Sequence, residues 1–332
     1  MAKRTLFISI LLPVLTLVGF NSFMGRWNTP PPHVVLRRIS DAAEPDYLVL
    51  GNSLVIAAVD EAAFRGGLPP QARSGPLLNT GCGGTFPAET VQFHLAAQRK
   101  FPHIPCVIMG FMFTQLTTPT DATWRELAGN RALFYFTDFE LGLSYYRPKS
   151  RLETARFRLT HHLPVVYERL SVWRRVGLLR GRIGEWGLPP EKMTGFGRVA
   201  DFEADPYQPK SPAALAAECK VALNEHRRLS APVLEIIRQA KGAGSKVILV
   251  QMPLPKARRE YFAVDEEWGN YQGHIRSLIE GEGAAFVNAM DWFSDDQRSF
   301  ADNLHLTRTG AAEFSSRLAP LVAVEALQTP AH

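Results

Sequence analysis

Short apolar runs alternate with longer amphipathic stretches along much of the chain. The runs predict strands at residues 47–50, 77–79, 106–111, 246–252 and 285–288. Helical patterns cover residues 90–100, 213–242 and 268–281, and an amphipathic run follows at 311–324. Because strands that alternate with helices pair in parallel and are covered on both faces, the pattern predicts an α/β fold around a central parallel sheet of about five strands.

The first 25 residues have a different pattern. An almost uninterrupted apolar run covers residues 5–24, directly after Lys3 and Arg4. Twenty residues at helical rise span about 30 Å, which matches the hydrocarbon core of a bilayer. The preceding positive charges predict a cytoplasmic N-terminus with the rest of the chain outside. We therefore expect a transmembrane anchor at residues 1–25. The alternative is a signal peptide that is cleaved before secretion, although the run lacks a small-residue cleavage site.

The remaining chain divides into a linker, a main domain and a tail. Three consecutive prolines at residues 30–32 predict a stiff linker within residues 26–45. The main domain is expected at 46–325, with a short tail at 326–332. An insertion at about 116–209 interrupts the alternation, and its stretch from residue 147 to 198 holds 12 Lys or Arg against 4 Asp or Glu. This helical insertion is either a cap with a solvated basic face or a surface for anionic headgroups, an acidic polymer or a membrane partner.

Composition and charge exclude some functions. The 332 residues are 46% hydrophobic and 21% charged, which is ordinary for a globular protein, and the net charge is +5. Without a nucleic-acid-binding motif, this mild excess does not indicate a nucleic-acid partner. No spacing of Cys and His predicts a zinc site, so we expect no metal. The odd count of three cysteines leaves at least one unpaired, and a bridge between Cys82 and Cys106 is one option.

The first candidate for chemistry follows the first strand of the main domain. That strand ends at Gly51, and Ser53 comes two residues later. A glycine at the strand exit allows a sharp turn, which can expose a serine hydroxyl to a base. Ser53 is therefore the candidate nucleophile, although the same pattern is common in ordinary turns.

The second candidate lies near the C-terminus. Asp302 precedes His305 by three residues. At that spacing the carboxylate can accept the Nδ1 hydrogen of the imidazole and leave Nε2 to take a proton from a serine. Such a pair is more often a helix cap or a solvated contact. Together with Ser53, however, it predicts a catalytic triad of Ser53, His305 and Asp302.

This order of motifs resembles the SGNH, or GDSL-type, hydrolase superfamily over residues 46–115 and 240–325. The resemblance implies a three-layer α/β/α, flavodoxin-like fold. The stretch from Asn79 to Thr85 looks like the second family block, so Gly84 and the amide of Ser53 would form the oxyanion hole. The third block departs from the family, since residues 107–115 contain no Asn, and Thr114 or Gln115 would donate instead. A second departure is Asn52, which stands in place of the usual Asp of the first block.

The departures and the expected anchor resemble the membrane-anchored, SGNH-like branch that works beside membrane-bound O-acyltransferases. That resemblance implies serine-dependent transfer or removal of an O-acetyl or similar ester on a cell-envelope polysaccharide, without a cofactor. It places the protein in the cytoplasmic membrane with its main domain outside, which is the periplasm in a Gram-negative cell. The alternatives are a general carboxylic-ester hydrolase or lipase, and a degenerate domain that only binds a glycan or a membrane partner.

Overall fold

A computed structural model describes residues 31–72, 75–118, 136–146, 150–162, 228–256, 259, 266–293, 296–302 and 304–327. The chain divides into two compact units, Met1–Val34 with Ala128–Pro189, and Val35–Leu127 with Pro190–His332. The expected anchor, most of the basic insertion and most of the tail lie outside the described residues. Within the described ranges, no helix combines the length and the hydropathy that a membrane span requires.

The elements follow one another largely as the hydrophobic pattern predicts, with several short additions. The helix predicted over residues 213–242 is wrong at residues 228–230, where a short strand comes before a helix that begins at Ala231. In chain order they are α1 (Pro31–Asp41), β1 (Tyr47–Gly51), α2 (Ser53–Ala58), α3 (Glu61–Gly67), β2 (Leu77–Asn79), α4 (Pro87–Lys100), β3 (Cys106–Phe111), α5 (Phe113–Leu116), β4 (Thr117–Thr118), α6 (Phe139–Tyr146), α7 (Arg151–His162), β5 (Arg228–Leu229), α8 (Ala231–Gly242), β6 (Lys246–Gln251), α9 (Glu266–Gly281), β7 (Ala285–Asn288), α10 (Asp296–Ser299) and α11 (Arg308–Leu327). All five strands of the predicted sheet are present at nearly the predicted positions.

The larger unit is built on a five-stranded parallel sheet in the order β2-β1-β3-β6-β7. Gly51 lies opposite Gly110 of the neighbouring strand, and Gly110 lies opposite Val250 of the next. This arrangement confirms the predicted α/β class and the parallel sheet. A second sheet pairs β4 with β5 in antiparallel orientation. Two-residue strands are too short to produce a visible alternation, so the sequence pattern did not predict them.

Both faces of the parallel sheet are buried. Tyr47 and Val49 of β1 belong to a hydrophobic core that includes residues of α2, α3 and α11. Leu48 and Leu50 are equally buried, and they point to the opposite face because side chains alternate along a strand. On the helical layers, α4 contacts α8, while α11 contacts α3 and α2. Burial on both faces explains the continuous apolar runs and is compatible with the three-layer α/β/α arrangement.

Part of the expected linker is helical. Residues 31–41 form α1 rather than an extended spacer. Val35 and Ile39, which lie one turn apart, are both buried. An apolar pair at that spacing gives a helix one face to bury, and this contribution outweighs the prolines at the start, which a first helical turn tolerates.

The C-terminal helix α11 fixes the end of the chain against the start of the main domain. Phe314, Leu318 and Val322, spaced four residues apart, are buried on one face of this helix. Ser315 donates a hydrogen bond to the carbonyl of Ala58 (3.0 Å) and accepts one from the amide of Asp60 (2.8 Å). These bonds join α11 to the end of α2, the helix that begins with Ser53.

The described part of the smaller unit contains α6 and α7. The rings of Phe136 and Tyr145 stack with centroids 5.9 Å apart, and the guanidinium of Arg158 lies 5.4 Å from the centre of the Phe139 ring. Aromatic residues and a basic residue of the predicted insertion therefore contact each other. Whether the insertion has a partner stays a prediction.

Gly51 and Gly66 provide a test of the packing at the end of β1. A Cβ at Gly51 would lie 2.5 Å from the carbonyl oxygen of Gly110, whereas a Cβ at Gly66 meets nothing within 4 Å. We expect Gly51→Ala to lower the free energy of unfolding by roughly 1–3 kcal/mol through overpacking. Gly66→Ala, in α3, should leave it unchanged or raise it by up to about 1 kcal/mol. Urea unfolding measures the free energy of unfolding of both variants. Equal midpoints for the two would contradict the close packing of Gly51 against Gly110.

Candidate active site

The turn that carries Ser53 is built from the end of β1 and the start of α2. Asn52 is the N-cap of α2, and its Oδ1 accepts a hydrogen bond from the amide of Leu54 at 3.0 Å. Asparagine is a favoured cap because its side-chain oxygen satisfies one of the amides that a helix start leaves unpaired. Ser53 is consequently the first residue of α2, held where the strand passes into the helix.

Asp302 organises the loop that carries His305. Its Oδ1 accepts hydrogen bonds from the amides of Leu304 (2.7 Å) and His305 (2.6 Å). Across the loop, Phe300 and Leu306 form an isolated β-bridge, and both side chains are buried. The aspartate therefore shapes its own turn as well as contacting the imidazole, as Asp commonly does in tight turns.

The three predicted residues meet in the larger unit. His305 Nε2 lies 2.9 Å from Ser53 Oγ, and His305 Nδ1 lies 2.8 Å from Asp302 Oδ2. The side chains of His305 and Asp302 are only 16% and 19% exposed. When Asp302 is ionised it can only accept, so Nδ1 of a neutral imidazole carries the hydrogen. Nε2 is then left to accept the hydroxyl hydrogen of Ser53, which is the arrangement of an activated serine.

The pKa of Asp302 is lowered from its ordinary value of 3.8. Burial acts in the opposite direction and raises the pKa, but it is outweighed by hydrogen bonds from the ring and the amide of His305, by the charge of its imidazole when protonated, and by the amide of Leu304. These contacts favour the carboxylate over the carboxylic acid. Asp302 is therefore ionised at neutral pH.

A pair of side-chain amides connects the serine turn to the third strand. Asn52 Nδ2 donates to Gln115 Oε1 at 3.1 Å, and the same Oε1 accepts a hydrogen bond from the amide of Met112 at 3.2 Å. Gln115 lies on α5, the short helix that follows β3. It thus ties the segment after β3 to the segment after β1.

The backbone fixes which way both amide groups point. The amide of Leu54 can only donate, so it requires the oxygen of Asn52 and turns Nδ2 towards Gln115. The amide of Met112 likewise requires the oxygen of Gln115. Gln115 Nε2, for which no described residue provides an acceptor, remains as a donor next to the serine turn. A donor in this position can contribute to an oxyanion hole.

The site lies at the switch point of the parallel sheet. Ser53 follows β1 and Gln115 follows β3, and these two strands are neighbours. The chain leaves β1 for one edge of the sheet and returns on the other side to form β3, so the connections diverge between them. Open parallel sheets bind ligands at such a crevice, outside the carboxyl ends of the strands.

The glycine-rich loop runs along the same edge. The amide of Cys82 donates to the carbonyl of Gly51 at 3.0 Å, and the hydroxyl of Thr85 donates to the carbonyl of Cys82 at 2.7 Å. Gly84 is exposed and has a φ of 74°, a left-handed conformation that favours glycine. Thr114 lies on α5, but it is its neighbour Gln115 that hydrogen-bonds the serine turn.

Cys82 and Cys106 are free thiols in the structure, and both are buried. The option of a bridge between them is therefore not realised. Burial is the main cause that raises the pKa of each thiol to about 12, so neither is a reactive thiolate at neutral pH. Among the described residues, no group of three or more His, Cys, Asp or Glu could hold a metal ion.

The Asn52–Gln115 contact is the part of the site that sequence reasoning missed. The sequence offers Gln115 as one of two candidate donors and marks Asn52 only as a replacement for an acid. The two residues are 63 positions apart, and no spacing rule connects them. The single available signal is that Asn52 and Gln115 both lie within four residues of the end of a predicted strand, Asn52 after β1 and Gln115 after β3.

Comparison of the chain with protein-family models and with curated proteins gives no match. The chemical interpretation of the site therefore depends on its geometry and on the motifs in the sequence.

The lowered pKa of Asp302 predicts a pH-dependent contribution to stability. A carboxyl group with a folded pKa below its unfolded value stabilises the fold fully above the unfolded pKa, and this contribution is lost as the pH falls through the folded pKa. We expect the difference in unfolding free energy between wild type and Asp302→Asn to shrink as the pH falls below 3.8. Urea unfolding between pH 3 and 7 measures it, with Glu280→Gln as the control for loss of one exposed carboxylate. A difference that grows on acidification would contradict the assignment.

Proposed function

We propose that the protein is a serine-dependent acyl-transfer enzyme that acts on an ester of a cell-envelope glycan. The observation that carries the proposal is the pair of contacts at His305, 2.9 Å to Ser53 Oγ and 2.8 Å to Asp302 Oδ2. A nucleophile, a base and a group that orients the base, all within hydrogen-bond distance, are the parts that nucleophilic catalysis requires.

The reaction proceeds in two steps. Ser53 Oγ attacks the ester carbonyl while its proton passes to His305 Nε2. The tetrahedral intermediate then collapses, and the proton passes to the leaving alcohol as the ester bond breaks, which leaves an acyl-enzyme. In the second step, His305 takes a proton from an incoming hydroxyl that attacks the acyl-enzyme and restores the serine. The carboxylate of Asp302 stabilises the imidazolium in both steps.

The oxyanion is stabilised by donors at the end of β1 and in the two neighbouring loops. The amide of Ser53 is in the first turn of α2, where backbone N–H groups have no intrahelical partner. Gly84 offers a second amide, and its lack of a side chain permits close approach. A side chain from α5 completes the set. Gln115, whose Nε2 is directed by its contacts with Asn52 and Met112, is favoured over Thr114 for this role.

The acceptor and the location follow from the resemblance and from the apolar run at residues 5–24. An anchor with positive charges before it would place the site outside the cytoplasmic membrane, in the periplasm of a Gram-negative cell. There a glycan hydroxyl as acceptor makes the protein an O-acyltransferase, and water as acceptor makes it a deacylase. A membrane-bound O-acyltransferase would be the natural acyl supplier on that side of the membrane.

A fluorophosphonate probe tests the activated serine directly. We expect the purified full-length chain in mild detergent to be labelled, and the labelling to be lost in Ser53→Ala and reduced at least about a hundredfold in His305→Ala. Ser277→Ala is the matched control, because Ser277 is exposed on α9 and donates only to the carbonyl of Gly273. Absence of labelling in a wild type that is folded by circular dichroism would overturn the proposal.

The choice of side-chain donor has its own test. We expect Gln115→Ala to lower kcat for a small activated ester by about 10²–10³, the usual effect of removing one oxyanion donor. Thr114→Val, which removes a neighbouring hydroxyl from the same helix, should change kcat much less. Both rates are measured by ester hydrolysis. The reverse order of effects would assign the donor to Thr114.

A further inference from the structure

A cavity of about 670 Å³ lies beside the triad in the larger unit. It is open to solvent on one side, and its wall is formed by residues of α1, α2, α3, β2 and the start of α11. The polar and charged residues in the wall are the exposed Arg38, Glu61, Arg65 and Arg308 and the half-buried Asp60 and Asn79. Its volume is within the range of small-molecule sites and is sufficient for one or two sugar units. Ser53 and His305 do not line it, so it is separate from the reacting atoms.

The cavity is nevertheless attached to the segments that carry the site. Ile56 lines it and lies three residues after Ser53 on α2, a distance of about 4.5 Å along the helix axis. Arg308 also lines it and follows His305 by three residues, at the first position of α11. Asn79 precedes the glycine-rich loop. A ligand in the cavity would therefore be a near neighbour of the triad.

Some charged side chains in the wall are paired with a neighbour, and others are not. Glu61 pairs with Arg65 at 2.6 Å, and Asp60 Oδ1 accepts the amide of Ala63 as a helix cap. Arg38 uses one N–H for the carbonyl of Asn79 at 2.8 Å and has others left. Arg308 forms no hydrogen bond or ion pair with any residue that the structure describes.

The surroundings of Arg308 strengthen its preference for an anion. The 20-residue helix α11 begins at this residue and has no acidic side chain in its first turn. The positive end of the helix dipole therefore adds to the charge of the guanidinium. Guanidinium groups bind carboxylates and phosphates through paired hydrogen bonds, which makes an unpaired Arg in a cavity a receptor for such groups.

We propose that this cavity binds an acidic unit of the glycan, with its carboxylate or phosphate on Arg308 and Arg38 and its hydroxyl groups on the carboxylate of Asp60 and the side chain of Asn79. The acceptor or donor ester on the neighbouring unit would then face Ser53. This assignment of an anionic substrate rests on the proposed acyl transfer for its purpose, but the binding itself does not depend on the reaction.

The test measures binding separately from chemistry. Full-length protein carrying Ser53→Ala, in mild detergent at low salt, is titrated calorimetrically with three probes of equal length: an oligomer of galacturonic acid, a glycerol phosphate oligomer and a neutral glucose oligomer. Arg308→Gln is added to the same background. Arg37→Gln is the matched control, since Arg37 is exposed on α1 beside Arg38 but does not line the cavity.

We expect an acidic oligomer to bind, the neutral one to bind more weakly, and Arg308→Gln to weaken acidic binding by about tenfold or more, the usual effect of losing a charge-assisted hydrogen bond. Arg37→Gln should leave the affinity within about twofold, because Arg37 does not line the cavity and would not contact a ligand bound there. Comparison of the two acidic probes identifies the anion as carboxylate or phosphate.

Two results would overturn the subsite. One is equal binding of the neutral and acidic oligomers, or no binding of either acidic oligomer. The other is an equal loss of affinity for the acidic oligomers in Arg308→Gln and Arg37→Gln, which would show that only the net charge of the protein matters. Probe labelling is measured in parallel on the protein that retains Ser53. Labelling without binding of an acidic oligomer would refute the proposed subsite but not the proposed acyl-transfer activity. Arg308-dependent binding without labelling would refute the proposed activity but not the subsite.

Discussion

The hydrogen bond between Ser53 Oγ and His305 Nε2 joins two segments 252 residues apart, and the chemistry proposed here depends on it. A contact of 2.9 Å between such distant groups is maintained only if their supporting elements are packed together. The helix α11 provides that packing, since it starts just after His305, buries its apolar face against α2 and α3, and uses Ser315 to bind the end of α2. The proposed proton transfer from serine to imidazole would thus depend on a hydrophobic interface on one side of the sheet.

A second constraint acts through the side-chain amides. Asn52 caps the helix that begins with Ser53 and at the same time holds Gln115. An aspartate at position 52 could accept from Leu54 but could not donate to Gln115, because an ionised carboxylate only accepts. The hydrogen bond to Gln115 therefore requires the amide side chain of Asn52. They form a polar link between the ends of two neighbouring strands, and such links are rigid when each member is satisfied.

The cavity beside α2 is the proposed binding place of the substrate next to the reacting residues. Part of its wall comes from α2, which begins with Ser53, and from the start of α11, which follows His305, so the proposed binding of an acidic sugar there and the proposed alignment of an ester at Ser53 would be coupled. In that proposal Arg308, three residues after His305, would bind an anionic group of the polymer without touching the reacting atoms. The charged units of an acidic glycan repeat at a fixed spacing. A subsite that binds one unit would therefore position the neighbouring unit at Ser53.

The five parallel strands and the three residues that meet at His305 could be predicted from the sequence alone. Buried parallel strands are continuous apolar runs, and an acid three residues before a histidine is a local feature, so both can be recognised without knowing long-range contacts. Only the tertiary structure decided that Asn52 binds Gln115, that Cys82 and Cys106 stay unpaired, and that a cavity containing Arg308 adjoins the site. These features depend on which distant segments the folded sheet and α11 bring together, and local periodicity carries no information about such contacts.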